Sequence, residues 1–171
     1  LPQQLILLLG FAGQTHFSDV DGDGRPDLVV ATLRPDLIDI LGSKGKEKIE
    51  IELLVYLNRK GTFSKQPDFR RTLKIKVAGF KNISTRKLAR FFGDLTKDGT
   101  AELLVQDRPE KLNVFLTKKN RDGTIQVFDR PLATFEMHEK AHVISSSPND
   151  AGKPYIVALE GNLIRYLRLS R

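Results

Sequence analysis

Four aspartates crowd one short stretch of the chain, Asp19-Val-Asp21-Gly-Asp23-Gly24-Arg25-Pro-Asp27. Counted from Asp19 they hold positions one, three, five and nine, with Gly24 at six. Alternation on a turning backbone lets side-chain oxygens converge, and a cluster of hard oxygen donors is the ligand set of a divalent cation such as calcium. Gly24 supplies the positive φ that a sharp turn needs without a Cβ penalty. The peptide oxygen of Arg25, at position seven, then joins Asp19, Asp21, Asp23 and Asp27 as an expected ligand, with water completing the shell. Two carboxylates about 4 Å apart repel by about 4 kcal/mol at an effective dielectric near 20, so four converging acids need positive charge among them. The competing reading is an acidic turn whose aspartates merely cap their own backbone amides.

An EF-hand opens with the same Asp-x-Asp-x-Asp-Gly but requires a bidentate Glu at position twelve and flanking helices. Position twelve here is Val30, and the β-favouring run Leu28–Ala31 follows the loop at once. A strand, rather than a helix, is expected to leave the site.

His138-Glu139-Lys-Ala-His142 matches the His-Glu-x-x-His pattern of zinc proteases, in which one helix presents both imidazoles. Only three residues of that pattern are fixed, and the space between Leu132–Met137 and Ser145–Ser147 is too short for the helix the chemistry needs. A surface turn or strand is the expectation, even though Glu160 could be imagined as a third ligand. With no cysteine in the chain, thiolate-zinc sites, disulfides and cysteine nucleophiles are excluded. Serine triads and phosphate-cradling glycine loops are absent as well. The sequence therefore reads as non-catalytic.

The elements that must hold the acidic loop recur along the chain. Asp94-Leu-Thr96-Lys-Asp98-Gly99-Thr100-Ala-Glu102 and Ser147-Pro-Asn149-Asp-Ala151-Gly152-Lys-Pro-Tyr155 align with the first loop on their glycines. Each is followed by two apolar runs: Leu28–Ala31 and Leu53–Leu57, Leu103–Val105 and Leu112–Leu116, Ile156–Leu159 and Leu163–Leu169. Such self-similarity marks a repeat architecture of strands. Gly161-Asn162 suits a two-residue hairpin turn, and Asn58–Phe63 and Asn120–Ile125 share a Gly-Thr turn that leads to a further strand. Loop starts lie 75 and 53 residues apart, and the excess falls between the first repeat's two runs. There Leu33, Leu37 and Leu41 have helical spacing, so one short helix over 35–41 is expected in this insertion, followed by an exposed charged loop at 43–48. Leu5–Leu9 reads as a strand.

Length and composition predict one domain over residues 1–171, with repeats at roughly 5–75, 76–135 and 136–171. No apolar stretch approaches the roughly 18 residues of a membrane span. The net charge of +7 is uneven, since residues 1–57 hold nine acids against five bases. The basic remainder carries no arginine-rich tract or DNA-reading motif, so its cations read as a solvated surface rather than a nucleic-acid site.

The first loop with its following strand, Asp19–Val30, resembles the calcium loops of FG-GAP and VCBS repeats, the units of integrin α-chain-like propellers. Val55–Phe63 is similar to the strand and glycine turn of those repeats, and Phe92-Gly93 matches the dipeptide in the family's name. The resemblance implies an all-β fold of β-propeller blades, about three of them, belonging to a larger propeller. It implies calcium on Asp19, Asp21, Asp23, Asp27 and the Arg25 carbonyl. By position it extends to Asp94, Thr96, Asp98, the Thr100 carbonyl and Glu102, where Thr at position three and Glu at nine weaken the site. Ser147, Ala151 and Tyr155 remove the ligands from the third loop. Closed propellers have typically four to eight blades, so remaining blades or other copies of the chain are expected partners. The implied function is calcium-stabilised binding of a protein or glycan, as in adhesion, at an extracellular, cell-surface or periplasmic location. The alternatives are a propeller-fold polysaccharide lyase or hydrolase with its catalytic residues elsewhere, and a polyanion-binding surface of Lys74, Lys76, Lys81, Arg86, Lys87 and Arg90.

Overall fold

A computed structural model of the chain describes residues 4–6, 8, 11–33, 48–76, 89–108, 110–138, 141–148 and 154–169. The described residues contain strands and turns and no helix. Strands β1 (Phe11–Ser18), β2 (Asp27–Leu33), β3 (Lys48–Tyr56) and β4 (Phe69–Lys76) form one antiparallel sheet in chain order. Next come β5 (Ala89–Phe91), β6 (Leu103–Arg108), β7 (Lys111–Phe115), the ribbon of β8 (Thr117–Lys119) with β9 (Ile125–Val127), and β10 (Ala133–Glu136). The second sheet has the order β5-β6-β7-β10. A third sheet contains β11 (His142–Pro148), β12 (Pro154–Glu160) and β13 (Leu163–Arg168) in chain order.

The paired apolar runs of all three repeats are antiparallel neighbours, β2 with β3, β6 with β7 and β12 with β13. In the third, Glu160 pairs with Leu163 across Gly161-Asn162, and Gly161 takes a φ of 62°. Strand β2 is buried on both faces, which is why its sequence is a continuous apolar run. Strand β4 instead alternates, with Leu73 and Ile75 buried and Arg70, Thr72 and Lys74 exposed, as suits a charged outer edge.

Alternation along the strands stacks the sheets face to face. Val29, Ala31, Ile51, Leu53 and Val55 of the first sheet share a core with Phe91, Leu103, Val105 and Phe115 of the second. The other face of the second sheet, Leu104, Leu112 and Val114, meets Ile156, Ala158 and Leu167 of the third. This all-β stack of propeller-type blades puts the two acidic loops side by side at one end. There the Ala101 amide donates to the Val20 carbonyl at 3.0 Å. A Cβ built on Gly22 would lie 1.5 Å from the Gly99 carbonyl oxygen, so backbone touches backbone across the seam.

Two expectations need correction or restriction. Leu5, Ile6 and Leu8 belong to no strand. Ile6 and Leu8 instead cover Val30, Leu54 and Tyr56 on the outer face of the first sheet, while the Gln4 side chain accepts from the Phe63 amide at 2.9 Å. Ile6 and Leu8 are thus partly buried without a ladder partner, while Leu5 stays exposed. The expected helix at 35–41 and residues 43–47 of the expected loop at 43–48 lie outside the described residues, while Lys48 opens β3 instead of closing that loop.

Gly22 and Gly24 both have positive φ, 70° and 83°, but only Gly22 is crowded, since nothing stands within 4 Å of a Cβ at Gly24. Gly24→Ala should lose the roughly 1–2 kcal/mol of a left-handed non-glycine residue. Gly22→Ala must in addition push the two loops apart and should lose about 3 kcal/mol or more. Urea denaturation of both variants in chelator checks the order, and equal losses would show that the seam is loose.

Candidate metal centre

The first two acidic loops are built on one hydrogen-bond scheme. At position one, Asp19 accepts from the amides of Asp23 (3.1 Å) and Gly24 (3.0 Å). Asp94 accepts likewise from Asp98 (3.1 Å) and Gly99 (2.9 Å), and also from Lys97 (2.6 Å). At position five, Asp23 and Asp98 each accept the amide two residues on at 2.9 Å. At position nine, Asp27 accepts from the Val20 amide at 2.8 Å and Glu102 from the Leu95 amide at 2.6 Å. Val20 and Leu95, the position-two residues, are buried in the two inter-sheet cores and pin the start of each loop. Their importance went unread in the sequence, although an apolar residue after each first aspartate was visible.

Each turn brings three carboxylates together. Oxygens of Asp19, Asp21 and Asp27 lie within 4.8 Å of one another, as do those of Asp94, Asp98 and Glu102. Asp23 is placed differently, with its second oxygen paired to the Arg25 guanidinium. In the second loop position seven is Thr100, whose hydroxyl shares its one proton between Asp98 at 2.7 Å and the Thr117 carbonyl at 3.0 Å. Thr96 contacts Glu102 with both its amide and its hydroxyl at 3.2 Å. Asn58, from the first Gly-Thr turn, clasps the first loop. Its amide donates to Asp27 at 2.8 Å, its side chain donates to the Pro26 carbonyl, and its own carbonyl accepts from Arg25 Nε at 3.1 Å.

Amide caps account for the shape of these turns but leave the acids close together and partly buried. Asp27 and Glu102 are wholly buried. Burial raises the pKa of Asp27, against the lowering effect of its bonds from Asn58 and Val20. Burial pushes Glu102 further, up to about 7, with the neighbouring charges of Asp98 and Asp94 adding to it and the bonds from Leu95 and Thr96 opposing it. The donor set is oxygen throughout, which fits a hard cation such as calcium and not a soft one.

In the third loop Ser147 and Tyr155 are ladder partners between β11 and β12, so the strands run on where the other repeats open into an acidic turn. Residues 149–153 lie outside the described residues. His138 lies in the connection after β10 and His142 begins β11, so the described part of the zinc-protease pattern is not helical. The His138 amide donates to Glu160 at 3.3 Å, which gives that carboxylate a structural role. Of the cations proposed to bind a polyanion, Lys74 pairs with Glu50 at 3.3 Å, and Arg90 stacks over Phe92 and reaches the Val143 carbonyl. Lys81, Arg86, Lys87 and the Lys76 side chain lie outside the described residues.

The Glu102 shift sets a pH dependence for the metal-free protein. Its carboxyl ionises near 4.5 when unfolded and near 7 when folded, so between these values the folded chain holds a proton that the unfolded chain has lost. The stability this proton contributes is complete below the unfolded pKa and disappears as pH rises through the folded one. Urea midpoints in chelator should therefore rise from pH 7.5 to pH 5 more steeply in the parent than in Glu102→Gln. Parallel profiles would show that Glu102 ionises normally.

A family model described as the FG-GAP-like repeat matches residues 19–105, just over half of the chain, from the first aspartate of loop one through β6. No curated protein matches the sequence.

Proposed function

The chain belongs to the FG-GAP-like repeat family, and from that premise we propose that it is a calcium-stabilised, non-catalytic propeller segment that presents loops to a protein or glycan. The observation that carries the calcium reading is the repetition of one scaffold. Two loops far apart in sequence share the same amide contacts and each gathers three carboxylate oxygens within 4.8 Å. A turn that needed only capping would not require buried acids at position nine in both. Calcium would bind Asp19, Asp21 and Asp27 in the first loop and Asp94, Asp98 and Glu102 in the second, with the Arg25 and Thr100 carbonyls as further oxygen donors. Its part would be structural, fixing the connection into β2 and β6.

We place the segment within a single domain over residues 1–171 and within a larger propeller. Supporting this, the outer face of the third sheet exposes Ile164 and Tyr166 at 59% and 62%, whereas Val30, Leu54 and Tyr56 on the outer face of the first sheet are buried. Tyr155 and Tyr166 stack edge to face there at 5.5 Å, an apolar surface suited to a further blade or another copy. No helix among the described residues is long and apolar enough to cross a membrane. An extracellular, surface-bound or periplasmic setting supplies the calcium such loops require.

Thermal melting in calcium against chelator tests the proposal. At a free concentration about 100 times the dissociation constant, linkage adds about 2.7 kcal/mol, or roughly 5–10 °C for a chain of this size. Asp21→Ala and Asp98→Ala should each remove part of that shift. A parent melting curve indifferent to chelation would sink the calcium reading.

A further inference from the structure

Lys119 stands on β8, 98 residues beyond Asp21, yet its ammonium meets Asp21 Oδ2 at 2.7 Å. The Asp21 side chain is 6% exposed and that of Lys119 is 38% exposed. Among the described residues the Asp21 carboxylate otherwise accepts one long contact, from the Asp23 amide at 3.3 Å, whereas Asp19 and Asp94 are each fixed by at least two amides. The ammonium therefore sets where the Asp21 carboxylate sits. That carboxylate also belongs to the oxygen cluster with Asp19 and Asp27, so the lysine is bonded to a group the calcium reading assigns to the ion.

We infer that Lys119 is the resident counter-cation of the first loop, a positioning residue that steadies Asp21 in the metal-free protein and competes with calcium for it. The inference rests on the calcium reading above. Arg25 does the same for Asp23 from within the loop, while in the second loop Asp94, Asp98 and Glu102 make no ion pair among the described residues. A cavity of about 240 Å³ lies beside the pair, lined by Asp21, Asp23, Asn58, Arg59, Lys119 and Asp122. When an ion draws Asp21 away, the displaced ammonium has space and another carboxylate, Asp122, lining the same cavity. Because Lys119 belongs to the repeat of the second sheet, filling the first loop changes a contact between neighbouring repeats.

The two states make opposite demands on Lys119, which separates this role from plain structural support. Lys119→Met should lower the melting point in chelator, because a buried carboxylate loses its partner. It should also tighten calcium binding about fivefold, the equivalent of roughly 1 kcal/mol for a partly exposed ion pair. Calorimetric calcium titration reads this on an Asp98→Ala background, where the heat reports the first loop. Lys119→Arg keeps the charge and should retain parent affinity. Unchanged or weaker binding in Lys119→Met, or equal behaviour of the Met and Arg variants, would overturn the inference and leave the calcium reading standing. Folded proteins that bind no calcium on either background would overturn both.

Discussion

Carboxylates gathered within 4.8 Å of one another repel, and the acidic end of this molecule is organised around the need for positive charge there. The two loops meet that need by different means. In the first, cationic side chains are present, Arg25 on Asp23 and Lys119 on Asp21. In the second, burial lifts Glu102 until a proton can remain on it near neutrality. The surrounding structure keeps the acids from simply swinging apart. Val20 and Leu95 are locked in the two cores, the position-nine acids are tied back to those residues' amides, and the Ala101 amide joins one loop to the other.

Much of this was legible because it is local. Turn glycines, paired apolar runs and the Gly-Thr turns depend on neighbours a few residues apart, and the structure places strands at each expected pair of runs. The loop glycines Gly24 and Gly99 take φ values of 83° and 90°, as a sharp turn at position six demands. What the spacing could not carry was contact between distant segments. Nothing near Lys119 marks it as a partner of Asp21, and nothing near Gly22 announces the Gly99 carbonyl. Four aspartates at odd positions read as equivalent, yet Arg25 distinguishes Asp23 from the rest. Leu5–Leu9 read as a strand because apolar content alone does not separate a ladder from a covering segment; only the outer face of Val30, Leu54 and Tyr56 decides that.

Stacking gives the middle sheet a different status from its neighbours. Both of its faces are core, so Leu103 and Leu104, adjacent in sequence, serve separate apolar clusters. A disturbance of β6 is therefore felt in both directions, and β6 is also the strand that leaves the second acidic loop. The third sheet has such support on one side only, and β13 carries Leu163, Ile164 and Tyr166 in the open. Strands β12 and β13 still pair along their length with a regular register from Tyr155–Arg168 to Glu160–Leu163, so hydrogen bonding holds β13 where packing does not.

The contact of Gly22 with Gly99 has a bearing on how such a chain can change in length. Acidic loops that touch backbone to backbone have no slack, and an added residue at that pole would force two neighbouring turns to rebuild together. At the opposite pole nothing stands within 4 Å of a Cβ built on Gly161. There the connection is two residues between Glu160 and Leu163, two between Arg108 and Lys111, and fourteen between Leu33 and Lys48. Insertions and deletions thus have a preferred address in this architecture, and a foreign peptide grafted into it has the same one.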